Sequence, residues 1–339
     1  MKMNKYILSL CSILLVGLIS CTPDDSDSTD DDGNWVKLSD YEGDTRTGAV
    51  SFVIDGFAYV GLGSDGEDYL TDFWRYDPSR NFWEEIAAFP GVGRISAVAF
   101  SADGSGFVGT GFNDDLETEE LSDFWRYDPT TDSWTEVAQF GGSARYSAVA
   151  FTLNGLGYVG TGYDGSYLKD FWRYDPGTDS WSQSLSLFGS KRESAFAFVL
   201  DGKAFVGSGL NNDQFLYDFW AFDPEADNWI DYSIDDDDND FFDEFIQAME
   251  RYDATAFVME DIAYITTGRG GSYFSDVISF DPFTNVWDED FTEFEGQPRG
   301  GAVAFVIDDQ GYVATGRSAS TRHDDIWSWR PDDEYEEFD

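Results

Sequence analysis

The chain has 339 residues, 67 acidic against 20 Lys and Arg side chains, and a formal net charge of −47. That charge excludes nonspecific binding to nucleic acid, whose phosphates such a surface repels, and it suits a solvent-facing domain. There are two cysteines and one histidine, which leaves little material for thiolate catalysis or for metal sites built from Cys and His.

The N-terminus reads MKMNKYILSLCSILLVGLISC. Lys2 and Lys5 precede an apolar run from Tyr6 to Ile19, too short to span a bilayer and typical of a secretory signal, here residues 1–20. Leu18-Ile19-Ser20-Cys21 resembles the lipobox of bacterial lipoproteins, which implies acylation of Cys21 and a membrane anchor through the lipid. With Cys11 lost in the signal and Cys21 acylated, no thiol would remain for a disulfide. Residues 21–33 are polar and acidic and read as a disordered tether. An acidic run after such a cysteine also resembles the surface-export signals of Bacteroidota lipoproteins. The implied location is the bacterial cell envelope, at the outer membrane.

From residue 34 onward the chain repeats itself. DFWRYDP occurs at 72–78, 123–129 and 170–176, and DFWAFDP, DVISFDP and DIWSWRP follow at 218–224, 276–282 and 325–331. Each unit continues the pattern of RISAVAFSADGSGFVGTG, a loop, then DFWRYDPTTDSWTEV. Four short β-rich runs separated by turns, repeated every 50 residues or so, predict one propeller blade per unit. The first run of every unit carries small residues at alternate positions, as in Ala97-Val98-Ala99-Phe100, where blades converge on an axis. Trp74, Trp125, Trp172 and Trp220 in the third run, and Trp83, Trp134, Trp181, Trp229 and Trp287 in the fourth, fill the wider outer gaps.

The last unit lacks a fourth run, and Asn34-Trp35-Val36-Lys37-Leu38 has no unit before it. Pairing these two pieces closes the ring and removes two open edges. The expected fold is all-β, a six-bladed propeller over 34–331 closed by the N-terminal strand at about 34–38, with an acidic tail at 332–339.

The unit resembles the kelch repeat, with Arg before strand one, glycine after strand two, Tyr-Asp-Pro after strand three and Trp in strand four. The usual kelch Gly-Gly pair is replaced by GLG, GTG, GTG, GSG, TTG and ATG, so that only the second glycine remains, at Gly63, Gly111, Gly162, Gly209, Gly268 and Gly316. Some kelch propellers are copper oxidases of the galactose oxidase type, which need two His ligands and a Cys-linked Tyr that this chain cannot assemble. Others resemble sialate mutarotases, which use no metal.

Features common to all units build blades, so function belongs where units differ. The two-to-three loops and four-to-one connections share the more variable face. Arg46, Arg94, Arg145, Arg192, Arg251 and Arg299 recur there and are expected to pair with Asp72, Asp123, Asp170, Asp218, Asp276 and Asp325. Arg269, Arg317 and Arg322 break the pattern and are candidates to hold a carboxylate by bidentate hydrogen bonds. Tyr163, Tyr167, Tyr217, Tyr273 and Asn211, with Tyr69, Phe215, Asn113 and Asn212, are candidates to stack on and hydrogen-bond a sugar. An insertion between Trp229 and Arg251 holds an acidic run, Asp235 to Asp240, which offers hard oxygen ligands for calcium but lacks the glycine and spacing of known calcium loops. Its Phe241, Phe242, Phe245 and Ile246 are candidates for a lid.

The reading is an envelope-anchored, non-catalytic module that binds a glycan or an envelope protein and needs no cofactor. The alternative is a metal-independent carbohydrate-active enzyme, mutarotase-like or a lyase, working with Arg and Asp or Glu at the channel mouth.

Overall fold

The computed structural model describes residues 33–233 and 242–336. The signal, Cys21, the tether and the run Asp235 to Asp240 lie outside the described residues, as do Phe241 and the side chains of Phe242 and Phe245.

The chain forms six four-stranded antiparallel sheets. In blade 1 the strands run outward in sequence order as Val50–Ile54, Phe57–Gly61, Phe73–Asp77 and Phe82–Ile86. Blades 2 to 5 repeat this order over 98–137, 149–184, 196–231 and 255–288. Blade 6 takes Val303–Ile307, Gln310–Ala314 and Ile326–Arg330 from the C-terminal end and Asn34–Lys37 from the N-terminal end. The closing strand is antiparallel, with Trp35 opposite Trp329, so the ring closes as the unpaired pieces of sequence require.

Alternation along the inner strands sets the core. Val50, Phe52 and Ile54 are buried against neighbouring blades, whereas Ser51 and Val53 are only partly covered. The small residues expected at the axis, among them Ala97, Ala99, Ala148 and Ala150, line an axial channel of about 240 Å³. Inner strands of adjacent blades are also tied directly: the Ser51 hydroxyl donates to the Ala304 carbonyl at 3.1 Å, and that of Thr152 to Ser101 at 2.7 Å. Each blade presses an aromatic ring on the next. The Phe52 ring lies where a Cβ on Gly106 would stand, 2.2 Å from Cε2, so only glycine fits there.

The turn aspartates join blades as well. Asp132 accepts from the Tyr127 hydroxyl in its own blade at 2.9 Å and from the Ala87 amide in the previous one at 2.9 Å. Asp179 repeats both bonds, to Tyr174 and to Ala138. At the closing seam Asn81 does the same for Tyr76 and Ser39. The outer tryptophans treat the seams unequally. Trp134 and Trp181 donate to Ala87 and Ala138 across their seams, but the indole N–H groups of Trp35 and Trp83 are buried without a partner among the described residues.

The acidic insertion holds a helix, Phe242–Met249, that its charge pattern did not announce. Its end is anchored: Met249 is buried with Phe196, Phe205 and Phe219 at the seam of blades 4 and 5, and its carbonyl accepts the Ser208 hydroxyl at 2.6 Å.

Candidate functional site

The six recurrent arginines are framework. Each is fully buried. Arg94 shows the pattern: Nε donates to the Val92 carbonyl, Nη1 to the Thr110 carbonyl at 2.9 Å, and both terminal nitrogens to Asp123 at 2.6 and 2.8 Å. Trp125 adds a third donor to that carboxylate at 2.7 Å. Burial alone would raise the Asp123 carboxyl, but the Arg94 hydrogen bonds and charge outweigh it and hold it below its ordinary value. Asp170 and Asp325 behave alike with Arg145 and Arg299.

Two residues after each of these arginines the chain turns through a left-handed conformation, at Gly48, Ser96, Ser147, Ser194, Asp253 and Gly301, with φ between 51° and 66°. Their backbones join into a closed cycle. Ser96 N–H donates to Gly48, Ser147 to Ser96, Ser194 to Ser147, Asp253 to Ser194, Gly301 to Asp253 and Gly48 to Gly301, at 2.8–3.1 Å. This cycle rims the channel on the variable face.

Around the rim, the residue before each cycle member pairs with the residue after the repeat glycine, as Tyr146 pairs with Tyr163 and Gly300 with Arg317. That second residue pairs in turn with one from the returning loop, as Tyr163 with Tyr167 and Arg317 with Arg322. The mouth is therefore built from equivalent triplets, and their contents differ by sector. Blade 3 contributes Tyr146, Tyr163 and Tyr167; blade 4 Glu193, Leu210 and Phe215; blade 5 Tyr252, Arg269 and Tyr273; blade 6 Gly300, Arg317 and Arg322.

The aromatic sector is continuous. Phe112 packs on Tyr146 at 4.9 Å, Tyr146 on Tyr163 at 5.6 Å and Tyr163 on Tyr167 at 5.1 Å. Phe215 stacks on Tyr252 at 5.8 Å, and the Arg269 guanidinium lies 4.5 Å from the Tyr252 centroid. Arg269 is also compensated, with Asp253 at 3.0 Å. Arg317 and Arg322 differ. Both are half-buried, and among the described residues neither has a carboxylate within ion-pair distance and the Arg322 Nε is buried without a partner. Asp65 feels Arg322 only as a minor influence; hydrogen bonds from the Asp68 and Glu67 amides chiefly lower its carboxyl.

Glu193 is the corresponding anomaly among the acids. Its side chain has no hydrogen bond or ion pair among the described residues, and burial, then the nearby Asp253 charge, pushes its carboxyl up to about 7. Nothing in its repeat position marks it in sequence, because the equivalent residues are Thr47, Ile95, Tyr146, Tyr252 and Gly300.

Of the sequence candidates, Arg269, Arg317, Arg322, Tyr163, Tyr167 and Tyr273 stand together at the mouth. Asn113 does not offer its amide to the mouth: it is buried, and its Nδ2 donates to the Gly93 carbonyl at 2.6 Å. Asn211 sits in a small hairpin, where its Oδ1 accepts from Asn212. Tyr69 is engaged with Asp114 at 2.7 Å. Tyr217 is exposed at the repeat position of Thr71 and Ser122, whose carbonyls bind the outer connections at Phe89 and Phe140, away from the triplets. His323 bonds Ser318, and burial, then the Arg299 charge, keeps its imidazole below its ordinary value. Among the described residues no group of three or more His, Cys, Asp or Glu is arranged to hold a metal.

Comparison with known proteins agrees with this architecture. Residues 158–316 match the KLHDC2/KLHL20/DRC7 kelch-repeats domain family, and residues 111–141 match the kelch motif. No curated protein matches the chain in sequence. Among solved structures, that of YjhT shares the fold, with a TM-score of 0.69 at 17% identity over 86% of this chain and 96% of that one. A ring of six blades, closed by its N-terminal strand and held by one Arg–Asp pair per blade, defines the class. The chain is a kelch-repeat β-propeller.

Proposed function

We propose that this propeller is a binding module whose variable-face mouth takes a small carboxylate-bearing ligand, with an acidic sugar as the favoured class. One observation carries the reading: among the described residues, Arg317 and Arg322, paired in register and half-buried, lack a carboxylate within ion-pair distance. The Arg322 guanidinium lies over Gly66 of the blade 1 loop, and an anion reaching both arginines satisfies donors that the framework leaves open. The tyrosines of blade 3 offer faces for the C–H groups of a sugar ring.

Anchoring in a bacterial envelope through acylated Cys21 belongs to the same proposal. It is supported by the signal-like N-terminus, and Cys21→Ser is expected to move the protein from the membrane to the soluble fraction. The binding test is calorimetric titration with glucuronate and N-acetylmuramate against neutral glucose. Binding of an acidic sugar that Arg317→Ala weakens at least tenfold, about 1.4 kcal/mol, supports the reading. Equal binding of neutral and acidic sugars, or indifference to Arg317→Ala, overturns it.

A further inference from the structure

Opposite in character to the arginine sector, the blade 4 sector carries a carboxyl with no cation partner among the described residues. Glu193 is fixed at the rim by its backbone, which exchanges two hydrogen bonds with Leu210 at 3.0 and 2.9 Å. In the order of equivalent rim positions it stands between Tyr146 and Tyr252. The antiparallel bridge of Leu168 with Arg192 sets Tyr167 opposite Glu193, and the Ser194 to Ser147 bond of the rim cycle sets Tyr146 next to it. On the other side Asp253 is already committed to Arg269, which lies on Tyr252. Glu193 is thus, with Glu120 of the blade 2 triplet, a rim carboxyl without an internal partner among the described residues.

We infer that Glu193, with Tyr146 and Tyr167, forms a subsite for an organic ammonium group. A carboxylate next to aromatic faces is the arrangement that desolvates and holds such a cation: the charge is matched once, and the rings accept the C–H and N–H edges around it. The inference rests on the carboxylate reading of Arg317 and Arg322 and narrows it. The preferred ligand carries an amine as well as a carboxylate, the acid toward blade 6 and the amine toward blade 4. The groups that face Glu193 agree with this sign. Asp213 and Glu120 add negative potential around the Tyr146–Tyr167 wall, and Asp253 and Arg269 offset each other.

Muramic acid and N-acetylmuramic acid differ only in whether the amine is free, so they separate this subsite from the arginine pair. Calorimetric titration of the purified full chain at pH 7.5 is expected to show muramic acid binding about tenfold more tightly, and Glu193→Gln is expected to abolish that preference without weakening N-acetylmuramic acid. Arg317→Ala should weaken both probes. Equal binding of the two probes by the wild type, or a preference that survives Glu193→Gln, overturns the ammonium subsite while leaving the arginine reading intact. Failure of both probes to bind overturns the two together.

Discussion

Arginine serves two opposite ends in this molecule. In the framework, six guanidiniums are fully buried, and every one is answered by a carboxylate and by backbone carbonyls. At the mouth, Arg317 and Arg322 are half-buried and have no carboxylate partner among the described residues. The chain has acid to spare, so the difference reflects where the fold places carboxylates rather than how many exist. Paired polar groups hold blades together, and under the proposed function the ligand completes the unpaired ones.

The comparison breaks most sharply under truncation. Asp123→Ala leaves Arg94 as an uncompensated buried charge and is expected to cost about 3–5 kcal/mol in urea-induced unfolding. Arg317→Ala, which removes no internal pair, should stay within about 0.5 kcal/mol of the wild type. Comparable losses from both would erase the distinction between framework and mouth.

Glu193 sharpens it through pH. Its carboxyl is raised in the folded state from 4.5 to about 7, so the native protein holds that proton more tightly than the unfolded chain does. The linkage therefore penalises folding once pH exceeds about 4.5, and the penalty grows until the folded group ionises near 7. Glu193→Gln is expected to be close to neutral at pH 4 and to raise stability at pH 8 by about 1–2 kcal/mol, discounted for partial exposure. A destabilising effect at pH 8 would mean that the carboxylate has an internal partner after all.

The smallest effect concerns hydroxyls. The residue before each repeat glycine is left-handed, with φ from 57° to 61° at Leu62, Thr110, Thr161, Ser208, Thr267 and Thr315. The Thr161 hydroxyl is buried without a partner, whereas that of Ser208 donates to Met249. Thr161→Gly relieves both the conformation and the orphan group, and thermal unfolding should show a gain of about 1 kcal/mol. Ser208→Gly forfeits a hydrogen bond and should gain less.

Much of the fold was legible because each blade must bury the same face against the next, and DFWRYDP, the alternating alanines and the stranded Asn34–Lys37 all report that one constraint. The Arg–Asp pairs were legible for the same reason: both members recur in step. The mouth was only partly so. Arg317 and Arg322 announced themselves by breaking the pattern, but Glu193 sits at a position whose residue changes from blade to blade, and its isolation depends on Asp253 being drawn off by Arg269. Asn113 and Tyr217 looked like surface groups of one loop face, yet the first is consumed by the Gly93 carbonyl and the second stands on the outer wall. The helix at Phe242–Met249 was masked by the acidic run before it. The rim cycle was invisible because backbone groups form it, with Gly, Ser and Asp serving equally.

That cycle has a mechanical meaning. A closed loop of six hydrogen bonds has no free end, so tilting any single blade strains two bonds at once and loads its neighbours. The mouth must therefore widen as a whole or not at all, like an iris with its leaves pinned to one another. Under the proposed function, a ligand arriving there would meet an aperture whose backbone is already set, and little of its binding energy would be spent on ordering that backbone.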